Sequence, residues 1–280
     1  MVELAQNDGS QKSTGLILWV FFLGIASLGF YFYKSVNSPV PDQNPIPIPE
    51  KPLYPDITLV EAGPPIVDDI KQIDEKAQGT SFFLPDLDKS DSLVRQIAPS
   101  AASHPRFVSW LAPDQIIRTF TLLVDNMSRG DLVRKHLKQF EPKQAFKARE
   151  IADGVYLTDQ ASFHRFDRFV EVFDSLNPRI AAALYLKLQP LFQEAYEELG
   201  YPGQDFNQVL FAAADVLLDA PVVNRTLKFE RPSVMFKFAD KKLENLNDVQ
   251  KQMIRMGPKN TKRIQAKTRA FVKLLREAGA

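Results

Sequence analysis

The chain reads as a mainly α-helical domain with one or two short β-hairpins, preceded by a single transmembrane helix and a Pro-rich stalk. Three observations predict this: an uncharged apolar run at 16–32, nine prolines crowded into 39–65, and apolar residues at helical spacing from about Asp68 onward. The expected organisation is a short tail at 1–14, a spanning helix at 15–33, an extended linker at 34–67 and a helical domain at 68–280.

Leu16 to Phe32 contains no charged residue, and Lys12 and Lys34 bracket it. About 18 helical residues rise roughly 27 Å, close to the hydrocarbon thickness of a bilayer. Trp19, Tyr31 and Tyr33 stand near the ends, where amphipathic rings favour the interface. No Ala-x-Ala-like cleavage site follows Tyr33, so the run reads as an uncleaved signal-anchor rather than a signal peptide. The positive-inside rule gives nearly a tie between Lys12 and Lys34. A short tail before a stalk and a large domain favours the N-terminus inside.

The prolines Pro39, Pro41, Pro45, Pro47, Pro49, Pro52, Pro55, Pro64 and Pro65 fix φ and disfavour helix in the residues before them. The stretch is therefore expected to be extended and semi-rigid, a spacer or, less specifically, a ligand for a proline-binding groove.

In the domain, Ser90 is the expected N-cap of a helix through Leu93, Val94 and Ile97. Asp114 to Met127 carries Ile116, Ile117, Phe120, Leu123 and Val124 on one stripe and ends near Gly130. Asp153-Gly154 separates Ala145–Ile151 from Val155–Leu157 and predicts a hairpin. Asp159 to Leu176 predicts one helix, with Phe163, Phe166, Phe169, Val170 and Phe173 opposite His164, Asp167, Arg168 and Glu171. Pro178 suits the first turn of the next helix, which stops at Gly200. Pro190 predicts a kink there, or two shorter helices, and the apolar run Ile180–Leu188 marks the buried centre. Further helices are expected over Asp205–Leu218, Asn247–Met256 and Pro258–Glu277, with two short β-prone runs around Pro232. No internal repeat at solenoid spacing is visible.

Composition excludes several chemistries. There is no cysteine, hence no disulfide, thiolate metal site or cysteine nucleophile, and three histidines do not suffice for a multi-histidine metal site. The net charge of +1 points to no partner in bulk. Phosphate-binding loops, dinucleotide fingerprints, nucleophile elbows and H-E-x-x-H are all absent. No cofactor is expected.

Several phrases carry a resemblance. They are Leu84-Pro85-x-Leu87-Asp88-x-Ser90-Asp91, Val124-Asp125-Asn126-x-x-Arg129-Gly130, Pro190-Leu191-x-Gln193-Glu194-Ala195-Tyr196-x-Glu198-Leu199-Gly200-Tyr201-Pro202, Phe238-Ala239-Asp240-x-x-Leu243-Glu244 and Arg255-Met256-Gly257-Pro258-x-Asn260. Together, over about 80–278, they resemble the bacterial family known as domain of unknown function 3014. Phe163-His164-Arg165-Phe166-Asp167-x-Phe169 departs from it, with phenylalanines where the family has tyrosines. The resemblance implies a membrane-anchored bacterial protein and brings no activity, cofactor or catalytic residue.

Two acidic groupings invite a catalytic reading. His164, Asp167 and Glu171 share a helix face, with Arg168 among them opposing a cation. Glu194, Glu197 and Glu198 fall opposite Leu191, Phe192, Ala195 and Leu199, on a face expected to be solvated. The asymmetry with most content lies at the C-terminus, where no acid occurs between Lys251 and Arg276. With Ile264, Phe271, Val272 and Leu275 inward, the residues Lys259, Lys262, Arg263, Arg269, Lys273 and Arg276 spread over the outer half. That face suits an anionic partner: an anionic envelope component or another envelope protein, with nucleic acid the least expected.

The expected function is a non-enzymatic interaction or scaffolding module of the bacterial cell envelope. It would be anchored in the inner membrane by the N-terminal helix, with a periplasmic domain. The alternative is a cell-envelope enzyme, such as a cell-wall hydrolase, using Glu194 or Asp167.

Overall fold

Four amphipathic segments whose apolar faces have no other place to go generate the centre of the fold. The computed structural model describes residues 83–280, all within one compact unit. Its helices are α1 (Ser90–Ile97), α2 (Phe107–Trp110), α3 (Ile116–Ser128), α4 (Ala161–His164), α5 (Asp167–Asp174), α6 (Pro178–Glu198), α7 (Phe206–Leu218), α8 (Lys241–Glu244), α9 (Asp248–Arg255) and α10 (Pro258–Glu277). The strands are β1 (Ala148–Ala152), β2 (Val155–Thr158), β3 (Lys228–Glu230) and β4 (Lys237–Phe238). Helices α3, α6, α7 and α10 pack on one another around Ile117, Ala183, Tyr185, Leu188, Phe206 and Leu275, all buried.

The helices begin where short polar side chains can accept from free amides. Asn177, Asp205, Asp240 and Asn247 cap α6, α7, α8 and α9 through their side-chain oxygens. The first helix departs from expectation: Ser90 is its first helical residue and donates its buried hydroxyl to the Leu87 carbonyl at 2.7 Å. The start of α3 is secured from outside that helix, because the Asp91 carboxylate accepts the amides of Gln115 at 2.7 Å and Ile116 at 2.9 Å.

Two other expectations are revised. The helix expected over Asp159–Leu176 is split into α4 and α5 at Arg165–Phe166. The Ser162 hydroxyl bonds both the amide and the carbonyl of Lys147, tying α4 to the strand entry, and Phe163 packs with the sheet while Phe166 and Val170 enter another cluster. Conversely, α6 runs unbroken through Pro190. Pro190 is exposed, so its missing amide and the carbonyl it cannot serve lie on the watered side, where the cost is small.

Both β-prone regions join in a single antiparallel sheet of order β1-β2-β3-β4. Tyr156 pairs with Phe229 and Leu157 with Lys228, linking hairpins some 70 residues apart in sequence. Phe229 and Phe238 point into a cluster with Leu227, Leu243 and Ile254.

The spanning helix is corrected here. Among the described residues no helix is long and apolar enough to cross a membrane, since α6 and α10, the longest, are both laced with charged side chains. The segment at 15–33 and the linker at 34–67 lie outside the described residues, so the transmembrane and signal-anchor assignments have no structural support.

Candidate anionic-ligand surface

The C-terminal helix is set in place by polar residues on its buried face. Gly257, at φ 86°, ends α9, and Pro258 opens α10 with a φ already suited to a first turn. Gln265 is buried and donates to the carbonyls of Leu217 at 3.1 Å, Leu218 at 3.0 Å and Ala220 at 2.8 Å. One side chain thus satisfies carbonyls that the end of α7 leaves open, and fixes α10 against them. The Thr261 hydroxyl reaches the carbonyls of Met253 and Gly257. Ile264, Val272 and Leu275 are buried as the spacing predicts, with Phe271 half-buried; Asn260, Thr261, Gln265 and Thr268 share that face.

The outer face carries the cations. Lys259, Lys262, Lys273 and Arg276 are exposed, while Arg263 and Arg269 are half-buried. They do not act as one set. Arg263 donates to Asp174 at the end of α5, at 2.9 and 3.2 Å, so that charge is already matched. Lys267 donates to the Leu176 carbonyl at 2.7 Å. Lys273 approaches Glu277 at 3.7 Å between two exposed side chains, a weak pairing. The Arg276 guanidinium lies 5.3 Å from the centre of the Phe211 ring. The sequence holds no acid near Arg263; the fold supplies one.

Arg269, Lys273 and Arg276 line an open groove of about 370 Å³ with Leu218, Val272 and Glu277. Its surface is mostly apolar, and three of its six lining residues are cations. An anionic group can meet these cations while an attached apolar group covers Leu218 and Val272. Lys259 and Lys262 stand nearer the other end of the helix and extend the positive face along it.

The groups proposed for catalysis are differently disposed. Glu194, Glu197 and Glu198 are all exposed. Glu198 pairs bidentately with Arg118, whose hydrogen bonds hold the carboxylate below its ordinary range. His164 Nδ1 is 2.8 Å from Asp167 Oδ2, and Asn260 Nδ2 donates to Asp167 Oδ1 at 2.8 Å. Burial works against the Asp167 charge, but the hydrogen bonds from Asn260 and His164 outweigh it and hold the carboxyl low. A proton-donating carboxyl would need the opposite shift. Among the described residues no group of three or more histidines and carboxylates could hold a metal ion.

Sequence reasoning missed one ion pair built on a buried carboxylate. Asp125 is 5% exposed and binds Arg129 through both oxygens, at 2.6 and 2.8 Å, with Tyr201 beside the guanidinium. Their separation of four residues within a helical stripe was the available signal.

No curated protein and no solved structure matches the chain. Residues 116–272, more than half of it and including β1–β4 and most of α10, match the family described as protein of unknown function (DUF3014), and the chain belongs to that family.

Proposed function

We propose that the chain is a non-enzymatic interaction module that holds an anionic partner on the outer face of α10. The observation that carries this reading is the groove lined by three cations, Arg269, Lys273 and Arg276, against one acid, Glu277, together with Leu218 and Val272. Cations on one side of a firmly seated helix create a local positive potential that the net charge of +1 conceals. The groove is open rather than deep, and it converges on no desolvated carboxylate, which supports binding over hydrolysis.

The test uses the full chain and poly-glutamate as a mimic of an acidic protein surface. The variant replaces Lys262, Lys273 and Arg276 with glutamine, three exposed positions where helix propensity barely changes. The parent binds at low salt and weakens as salt rises; the variant melts like the parent and binds at least about tenfold less tightly. Failure of the parent to bind at low salt removes the reading.

A further inference from the structure

Three half-buried arginines in this domain are met by carboxylates. Arg95 reaches Asp114 at 2.8 Å, Arg118 reaches Asp88 at 2.7 Å and Arg263 reaches Asp174 at 2.9 Å. Arg165 and Arg255 are also half-buried, yet among the described residues neither has a carboxylate within ion-pair distance.

Their partners are backbone carbonyls and aromatic rings. Arg165 donates to the Ser162 carbonyl at 2.8 Å and lies 5.3 Å from the ring centre of Phe146 and 4.8 Å from that of Phe166. Arg255 donates weakly to the Phe236 carbonyl at 3.4 Å and lies 4.9 Å from the Phe238 ring. The Phe229 ring lies 5.2 Å from Phe146 and 4.9 Å from Phe238, and Phe146 and Phe236 are 5.0 Å apart, so the rings beneath both guanidinium groups belong to one aromatic cluster beside the sheet. Arg231, on the exposed β3–β4 turn, stacks over Phe236 at 5.3 Å and brings a third guanidinium.

Electrostatically the junction is under-compensated. Burial is the larger influence lowering the Arg165 pKa, and the charge of Arg255 adds to it. Burial likewise lowers Arg255; Glu244 and Asp248 attract it, while Arg134 repels it. Those two acids are already engaged: Glu244 accepts the Phe238 amide at 2.9 Å, and Asp248 meets Lys251 at 3.2 Å. An arginine does not shed its proton under such pressure. It needs an anion.

We infer that Arg165, Arg255 and Arg231, seated on the rings of Phe146, Phe236 and Phe238, form a binding site for a phosphate group. Stacking on a ring holds a guanidinium plane, and the N–H groups not held by the carbonyls of Ser162, Gln144 and Phe236 can meet phosphate oxygens. A dianionic phosphate compensates several cations at once, which a single carboxylate does not. This site lies at the α4–α5 junction, the end of α9 and the β3–β4 turn, and is independent of the α10 groove.

Calorimetric titration of the full chain with pyrophosphate at low salt tests it. Cosedimentation with phosphatidylcholine vesicles containing phosphatidic acid, against phosphatidylcholine alone, forms the second arm. Binding of pyrophosphate identifies a soluble phosphate compound, and binding only of the phosphatidic acid vesicles identifies a lipid headgroup; either supports the site. Arg255→Lys keeps the charge but removes the fork and the stack, and is expected to weaken binding at least about tenfold. Should Arg255→Lys fail to fold, Arg231→Gln on the exposed turn decides, with weaker binding at an unchanged melting temperature. The site is overturned if neither probe binds, or if the decisive variant binds as the parent does. The α10 triple variant retains pyrophosphate binding, so the two surfaces fail separately.

Discussion

Arg263 on α10 and Asp174 at the end of α5 face each other across a helix junction, with Nη2 and Nε both donating to the same carboxylate oxygen at 2.9 and 3.2 Å. Lys267 stands 3.9 Å from the other oxygen. Asp174 is therefore a built-in competitor for any anion approaching this part of α10. Asp174→Asn should destabilise the domain by less than about 1 kcal/mol, since both partners are partly exposed. The same change should tighten binding of poly-glutamate at low salt. Weaker binding would show that Asp174 positions the cations rather than competing for them.

Gly257 combines two demands. Its φ is 86°, and a Cβ there would lie 2.6 Å from Cγ of Phe163. Gly203 has φ 73° and open space around it. Gly257→Ala should cost more than about 2 kcal/mol, and Gly203→Ala about 1 kcal/mol, because only the first adds a clash to the strain. Urea melts giving equal losses would mean that Phe163 moves aside freely.

Phe166 is 8% exposed and packs with Val170, Met253 and Ile264, whereas His164 is exposed. Phe166→Ala should destabilise by about 3–5 kcal/mol. His164→Ala should change stability by no more than about 0.5 kcal/mol. Similar losses in the two variants would place the His164–Asp167 contact among the main supports of the fold.

The Asp167 carboxyl is held below its ordinary value of 3.8. A depressed folded pKa gives stability that is present above the unfolded value and is lost as pH falls through the folded one. Thermal melts of the parent should therefore lose stability below about pH 4 more steeply than those of Asp167→Asn. Parallel curves for the two proteins would remove Asp167 from the acid response.

Periodicity made much of this legible. The bounds of α10, the stop at Gly257 and the start of α7 near Asp205 follow from helix-end chemistry that acts within a few residues, so the sequence displays it. Three features escaped that reading because they depend on distant contacts. The division between α4 and α5 depends on Ser162 bonding Lys147, and on Phe163 packing in a different cluster from Phe166. The joining of two hairpins depends on β2 meeting β3. Asp174 silences Arg263 from 89 positions away, so the cation stripe read from α10 alone overstated its free charge. Arg165 and Arg255 were unremarkable in sequence, and only their placement on Phe146 and Phe238 makes them stand out.

The central claim is that the outer face of α10 holds an anionic partner. The most direct measurement is the salt dependence of poly-glutamate binding to the full chain, compared with the Lys262→Gln, Lys273→Gln, Arg276→Gln variant. The parent should bind at low salt and lose affinity steeply as salt rises, and the variant should show a weaker, shallower dependence with an unchanged melting temperature. Equal affinity and equal salt dependence in the two proteins would contradict it and place the partner elsewhere on the domain.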